Sequence, residues 1–256
     1  MTKDERQALI LDMLMKQESL LVTDLSEHLN VSSVTIRKDL TELEKKKKLY
    51  RNHGKAILID PYSENKNVSE KERLSVDEKR AIGIKAASMI TPRDSILIAS
   101  GTTVHALARC IQASDRLTVI TASLEVASIL SIDTNIDIIQ LGGILRHSSL
   151  SCVGRHAEEA LNDFSCSKLF LGVDGIDLDL GITTTDMMEA SLNRVMMQTA
   201  QKTIVLADSS KFGRRGFSKI ADLKDVDQII TDSKISPSVA KKLEEMGIDL
   251  TIVETQ

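Results

Sequence analysis

Over residues 1–59 the apolar positions recur at helical spacing, and from residue 78 onward they gather instead into short continuous runs. Leu9, Ile10, Met13 and Leu14 predict a helix over 4–16. Leu25 with Leu29, and Ile36 with Leu40 and Leu43, predict the inner faces of two further helices separated by a very short turn. Ser32 stands where the second of these needs an N-cap. Residues 49–59, LYRNHGKAILI, place a turn signal at Asn52–Gly54 between two β-prone pieces, so a hairpin is expected. Three helices and a hairpin predict a small winged helix-turn-helix domain over 1–59.

Residues 60–77 begin DPYSENKNVSEKERLS, contain Pro61 and almost no apolar side chains, and read as a linker with helical character from Ser69. Over 78–256, apolar runs at 96–99, 117–121, 136–141, 168–173, 203–207, 228–231 and 250–253 alternate with helical segments near 78–90, 103–112, 124–131, 155–163, 186–200 and 236–246. Continuous apolar strands alternating with helices predict an α/β domain built on a mainly parallel sheet.

Composition changes this picture in two places. The net charge is −4, yet residues 32–55 hold eight basic and three acidic side chains, a local basic patch on an acidic chain. Aromatic residues are 2% of the chain with no Trp, which argues against a single-stranded nucleic-acid platform built on stacked rings. No apolar run approaches the roughly 18 residues of a membrane span, and no secretory signal is expected. Cys110, Cys152 and Cys166 form no CxxC pair and suit a reduced, cytoplasmic protein. His28, His53, His105, His147 and His156 show no metal-ligand spacing, so neither metal nor cofactor is expected.

Stepping roughly 100° per residue from Ile36 keeps Leu40 and Leu43 on one side. Val34, Lys38, Thr41 and Lys45 then fall on the opposite side, flanked by Thr35 and Arg37. With Ser33 at its start, this outer face suits the major groove of double-stranded DNA: Arg and Lys donate to guanine edges, and Thr offers a hydroxyl and a methyl. Lys45 through Lys48, Arg51 and Lys55 would neutralise phosphates. A solvated charged face on an ordinary helix is the plainer alternative.

In ILIASGTTVHALARCI, residues 96–111, a buried strand passes through Ser100-Gly101-Thr102-Thr103 into a helix. Gly101 gives the backbone room, the two threonines supply hydroxyls, and the helix N-terminus favours an anion. Further polar turns at 121–123, 141–143, 174–177 and 208–211 follow other apolar runs and would converge on one crevice at the strand ends, where Lys211 would balance a phosphate. Capped turns without a ligand explain the same residues.

The segment VSSVTIRKDLTELEKKKKLYRNHGKA resembles the DNA-binding part of the DeoR family of bacterial transcription regulators. Ser32, Thr35, Ile36, Arg37, Asp39, Leu40, Leu43, Glu44, Arg51, His53, Gly54 and Ala56 match the family pattern. Lys38 stands where arginine is usual, and Lys47 and Lys55 where glycines are. From about Glu78 to Asp232, segments such as SGTT, LGGILR, GVDGID and VLADSSKFG look like the DeoR-type sensor domain, whose fold is similar to ribose-5-phosphate isomerase and coenzyme A transferases. The resemblance implies a repressor controlled by a phosphorylated sugar or related metabolite. Carried over, the pocket candidates are Gly101, Thr102, Thr103, Ser123, Gly142, Gly143, Asp174, Gly175, Glu189 and Lys211. Ala99, Ala122 and Asn193 stand where aspartate, asparagine and lysine are usual. A homo-oligomer, dimer or tetramer, is expected because paired DNA half-sites call for a symmetric protein. Two alternatives stay open: a sugar-phosphate isomerase-like enzyme, and a DNA-binding protein whose large domain only oligomerises around a vestigial pocket.

Overall fold

The computed structural model describes residues 1–17, 19–46, 48–52, 54–58 and 67–255. Lys47, His53 and residues 60–66 of the expected linker lie outside the described residues. Thr2 opens α1 (Lys3–Lys16) with a capping box, its hydroxyl accepting from Glu5 N while its own N–H donates to the Glu5 carboxylate. Ile10 and Leu14 are buried on the inner stripe of α1, whereas Leu9 faces solvent. Strand β1 (Ser19–Leu21) leads into α2 (Val22–Leu29), which ends at Asn30 with φ 50°. Ser32 then caps α3 (Ser33–Lys45), accepting from Thr35 N at 3.2 Å. Ile36, Leu40 and Leu43 are at most 2% exposed and close a core with Ile10, Leu14 and Leu25. Each such burial is worth about 1.5–3 kcal/mol, so the inner stripe fixes which face of α3 is left outward.

The hairpin of β2 (Leu49–Asn52) and β3 (Lys55–Leu58) forms as expected, and β1 adds to it in the order β1-β3-β2. Three residues are too few for β1 to announce itself by periodicity. This is the winged helix-turn-helix the spacing predicts.

Beyond the undescribed residues come a one-turn helix, α4 (Val68–Lys71), and α5 (Val76–Ala87). The large sheet has seven strands, all paired in parallel: β4 (Ser95–Ile98), β5 (Leu117–Thr121), β6 (Ile136–Gln140), β9 (Lys168–Gly172), β12 (Thr203–Leu206), β14 (Gln228–Asp232) and β15 (Asp249–Val253). They are the seven apolar runs of the sequence. The helices between them are α6 (Thr102–Cys110), α7 (Leu124–Leu130), α8 (Arg155–Ala160), α9 (Met187–Thr199) and α10 (Pro237–Glu245). Alternate residues serve the two faces. Ile96 and Ile98 pack into the layer that holds α5, α6 and α7, while Leu97 packs into the layer that holds α8 and α9.

The strand order is β15-β14-β12-β9-β4-β5-β6. The chain lays β5 and β6 outward on one side of β4, then returns to set β9 on the other side and continues away from it. The direction of winding therefore reverses between β4 and β9, and open α/β sheets bind ligands beyond the carboxyl ends of the strands at such a point.

Two antiparallel additions were not expected. Strands β10 (Gly175–Asp177), β11 (Gly181–Thr184) and β13 (Ser218–Ala221) form a small sheet, and β7 (Ile144–Arg146) pairs with β8 (Ser151–Val153). Most of the stretch 174–177, expected as a polar turn, is thus strand β10. Its Gly175 packs against the Arg214 backbone, and its Asp177 accepts from Leu180 N and from Arg215.

Candidate functional site

On α3 the structure separates residues that face outward from residues that hold the helix in place. Arg37, Lys38 and Lys45 are exposed, as is Lys55 on β3, and none of these four side chains makes a hydrogen bond or ion pair among the described residues. Ser33, Thr35 and Thr41 are half-buried. The Thr35 hydroxyl lies 3.0 Å from that of Ser32, and the Thr41 hydroxyl donates to Arg37 O at 2.7 Å. Arg51 behaves differently from Lys55. Its Nε and Nη2 donate to Glu44 Oε2 at 2.9 and 2.6 Å, and its backbone N–H donates to Glu44 Oε1, so the guanidinium ties β2 to the end of α3. Asp39, 2% exposed on the inner side, receives Arg6 of α1 in a two-point ion pair. The outward face presented to a partner is consequently cationic and unencumbered.

The second site lies where the winding reverses. After β4 the chain turns through Gly101, whose φ of 121° suits glycine, into α6, and no side chain caps that helix. A cavity of about 480 Å³, counted to its open mouth, faces this N-terminus. Ser100 through Thr103 line it from β4, and Gly172, Val173 and Asp174 line it from β9. Thr102 and Thr103 are 8% and 6% exposed, yet neither hydroxyl has a hydrogen-bond partner among the described residues. Lys211 also lines the cavity, and its ammonium makes no hydrogen bond or ion pair among them.

The remaining wall is charged and mutually satisfied. Glu189 accepts from Ser100 Oγ at 2.5 Å and from Arg146 Nη1 at 3.1 Å, and the Thr184 hydroxyl sits 2.9 Å away. Asp174 accepts from Lys71 Nζ at 2.7 Å and from Thr185 N at 3.2 Å. Lys71, Arg146 and Lys211 thus face Asp174 and Glu189, three cations against two carboxylates. The balance is positive, and the spare donors are those at the end of α6.

Of the residues singled out by sequence, Gly101, Thr102, Thr103, Asp174, Glu189 and Lys211 come together around this cavity. Ser123, Gly142, Gly143 and Gly175 do not line it. Ser123 is fully buried, caps α7 by accepting from Val126 N, and stands 3.4 Å from His105 Nε2. Gly143 and Gly175 pack against backbone, where a Cβ would stand 2.6 Å from Val153 O and 2.4 Å from Arg214 O. Gly142 is exposed. Ser100, the first residue of the turn expected to hold an anion, lines the same wall, whereas sequence reasoning passed over Lys71, Arg146 and Thr184, which the fold brings there.

Residues 6–62 match the DeoR-like helix-turn-helix domain, and residues 74–233 match the DeoR C terminal sensor domain. The chain belongs to the DeoR family. The HTH-type transcriptional regulator YulB of Bacillus subtilis (strain 168) is 39% identical over 97% of this chain and 96% of its own length. The HTH-type transcriptional repressor GlcR of the same organism is 34% identical over 99% of this chain and 98% of its own. Among solved structures, ribose 5 phosphate isomerase A from Neisseria gonorrhoeae is 15% identical over 52% of each chain with a TM-score of 0.38, too distant to carry an inference about activity. Membership of the DeoR family makes this protein a DNA-binding transcription regulator. No helix among the described residues is long and apolar enough to cross a membrane.

Within this DeoR-type sensor domain the Asp174 ionisation is tied to its neighbours. Burial pushes the carboxyl up, but the charges of Lys71 and Lys211 and the hydrogen bonds from Lys71 and Thr184 outweigh it and hold it at about 2, below the usual 3.8. Because the folded value is the lower one, the stabilisation is present above pH 3.8 and is lost as pH falls toward 2. Asp174→Asn is expected to cost about 2 kcal/mol at pH 7 and about half of that near pH 3. Urea unfolding at the two pH values measures this. A difference between variant and parent that does not shrink on acidification would show that the negative charge is not what stabilises the wall.

Proposed function

We propose that this DeoR-family chain is a repressor whose hold on its operator is controlled by a phosphorylated sugar, or a related phosphorylated metabolite, bound at the carboxyl ends of β4 and β9. The observation that carries this reading is the set of idle donors there. An uncapped helix N-terminus, the hydroxyls of the largely buried Thr102 and Thr103, and the Lys211 ammonium all border one cavity with no hydrogen-bond partner among the described residues. Phosphate offers acceptor oxygens and the opposite charge to each of them. Asp174 and Glu189 would accept from sugar hydroxyls on the far side. Two or more copies would act together, each placing α3 in one half-site of a symmetric operator. The domain boundaries that follow are a reading head over 1–59, a linker over 60–77 and a sensor over 78–256.

The same wall argues for binding over turnover. Isomerisation needs a carboxylate base free to take the proton it removes, whereas the charges of Lys71 and Lys211 hold Asp174 well below its usual range and Glu189 is engaged by Ser100, Arg146 and Thr184. Calorimetric titration of the full chain with a panel of sugar phosphates and their unphosphorylated parents tests the reading. Binding confined to the phosphorylated members is expected. Lys211→Ala should weaken it at least about tenfold, the scale of one charged hydrogen bond, and remove the effector's influence on operator binding. Equal binding of the unphosphorylated sugars, or interconversion of sugar phosphates at enzymatic rates, would defeat it.

A further inference from the structure

The polar stretch that joins the reading head to the sheet forms part of the pocket wall. Its helix α4 is one turn long and too short to be stable alone, so its place depends on what it touches. Val68 N–H donates to Ser148 O at 2.8 Å, and Val68 and Lys71 both line the cavity. Lys71 Nζ reaches Asp174 across 103 positions of chain. From α5, the buried Lys79 ammonium donates to Lys71 O and Leu74 O at 2.5 and 2.6 Å, gripping the end of the turn. Glu72 accepts from Arg109 Nη2 at 3.1 Å and stands 3.3 Å from His105 Nδ1, both on α6, the helix whose N-terminus faces the cavity. Consecutive residues of the linker are therefore held by the two elements that an anion in the cavity would touch.

We propose that Lys71 is an effector-binding residue supplied by the linker, and that its transfer from Asp174 to the bound anion is the step by which the linker registers a filled pocket. The proposal rests on the phosphate reading of this same cavity. A phosphate monoester carries about −1.5 to −2 at neutral pH, against −1 for the Asp174 carboxylate, and Lys71 stands on the wall that both share. A lysine suits the exchange, because its compact charge sits on a flexible stem and re-aims without a fixed donor geometry. Once Lys71 turns to the ligand, α4 loses its side-chain tie to the β9 end and keeps the Val68 hydrogen bond and the grip of Lys79. A ligand shifts a conformational equilibrium only through unequal affinity for the two states. Lys71 supplies that inequality, since it belongs to the pocket and to the segment that leads to the reading head.

Hydrogen exchange at residues 68–74 of the full chain, with calorimetry alongside and inorganic phosphate as the probe, tests this. In the unsubstituted chain, saturating phosphate is expected to speed exchange at these amides at least about tenfold. Lys71→Met should exchange at the faster rate without phosphate, respond less than about twofold on its addition, and bind it about tenfold more weakly. Lys71→Arg, which keeps the charge, should retain a response. Asp174→Asn removes the other partner and should also free the linker, which keeps the test decisive should Lys71→Met fail to fold. Phosphate that binds the unsubstituted chain and leaves exchange at 68–74 unchanged refutes the transfer while the phosphate reading survives. An absence of any binding heat with the unsubstituted chain brings down the reading of the cavity, and the transfer with it.

Discussion

Replacing Arg37 and Lys38 together by alanine is expected to weaken operator binding about a hundredfold at moderate salt, with little change in the melting temperature. The two expectations have separate physical grounds. Both side chains are exposed and engage nothing among the described residues, so their removal leaves no stranded partner and opens no cavity. Surface changes of that kind stay within about 0.5 kcal/mol, and alanine favours the helix slightly. In the groove, a side chain paired to a base edge is worth about 1–3 kcal/mol, and one paired to a phosphate lowers the salt slope by about one. Two such contacts in the lower half of the range, about 1.5 kcal/mol each, come to about 3 kcal/mol, a factor of about one hundred. Asp39 supplies the contrast. It follows Lys38 directly but is buried and paired to Arg6, so Asp39→Ala would act through the packing of α3 on α1 instead of through DNA. Fluorescence anisotropy with a duplex selected from a random pool, at two salt concentrations, measures the double variant. Sequence preference that survives it intact would mean that α3 does not read the groove through these residues.

What could be read from the sequence, and what could not, follows from how each element is buried. Strands covered on both faces must be apolar at every position, which is why runs such as Ile96–Ile98 and Ile204–Leu206 were visible and proved to be the large sheet. Strands β10 and β11 were missed because their composition answers to their neighbours: the Thr184 hydroxyl lies within hydrogen-bond reach of either pocket carboxylate, and Gly175 fits against a neighbouring backbone. The Gly101–Thr103 turn was legible since strand, glycine and helix are consecutive. Lys71 was not, because a lysine in a polar stretch looks like any spacer residue and its partner lies 103 positions away. Ser123 shows the reverse ambiguity: a serine before a helix reads equally as a ligand contact or as an N-cap, and the structure uses it as the cap. Arg51 and Lys55 were alike on paper. Glu44, seven residues upstream of Arg51, distinguishes them once the hairpin folds back.

Gly83→Val is expected to destabilise the sensor domain by about 3 kcal/mol and to weaken effector binding with it. Gly83 is buried in α5 between Ile82 and Ala86, on the face that meets α6. A Cβ there would stand 2.7 Å from the Ala106 carbonyl carbon and 2.8 Å from Leu107 N, both backbone atoms of α6. A flexible side chain would yield to such a contact, but a helix backbone cannot, so α5 must move away from α6 as a unit. Helix propensity returns only a few tenths of a kcal/mol for valine over glycine, about 1 for alanine, so the alanine variant should be the milder of the two. Displacement also reaches the pocket from both sides, because α6 carries the Thr102–Thr103 end and α5 carries Lys79, which grips the linker at Lys71 and Leu74. For a chain of this size about 3 kcal/mol corresponds to a fall in melting temperature of roughly 10 °C. Thermal unfolding of the two variants, together with phosphate titration of the folded fraction, provides the measurement. A valine variant that melts with the parent and binds phosphate as tightly would show that α5 and α6 have slack between them, and that the mouth of the cavity does not depend on their close approach.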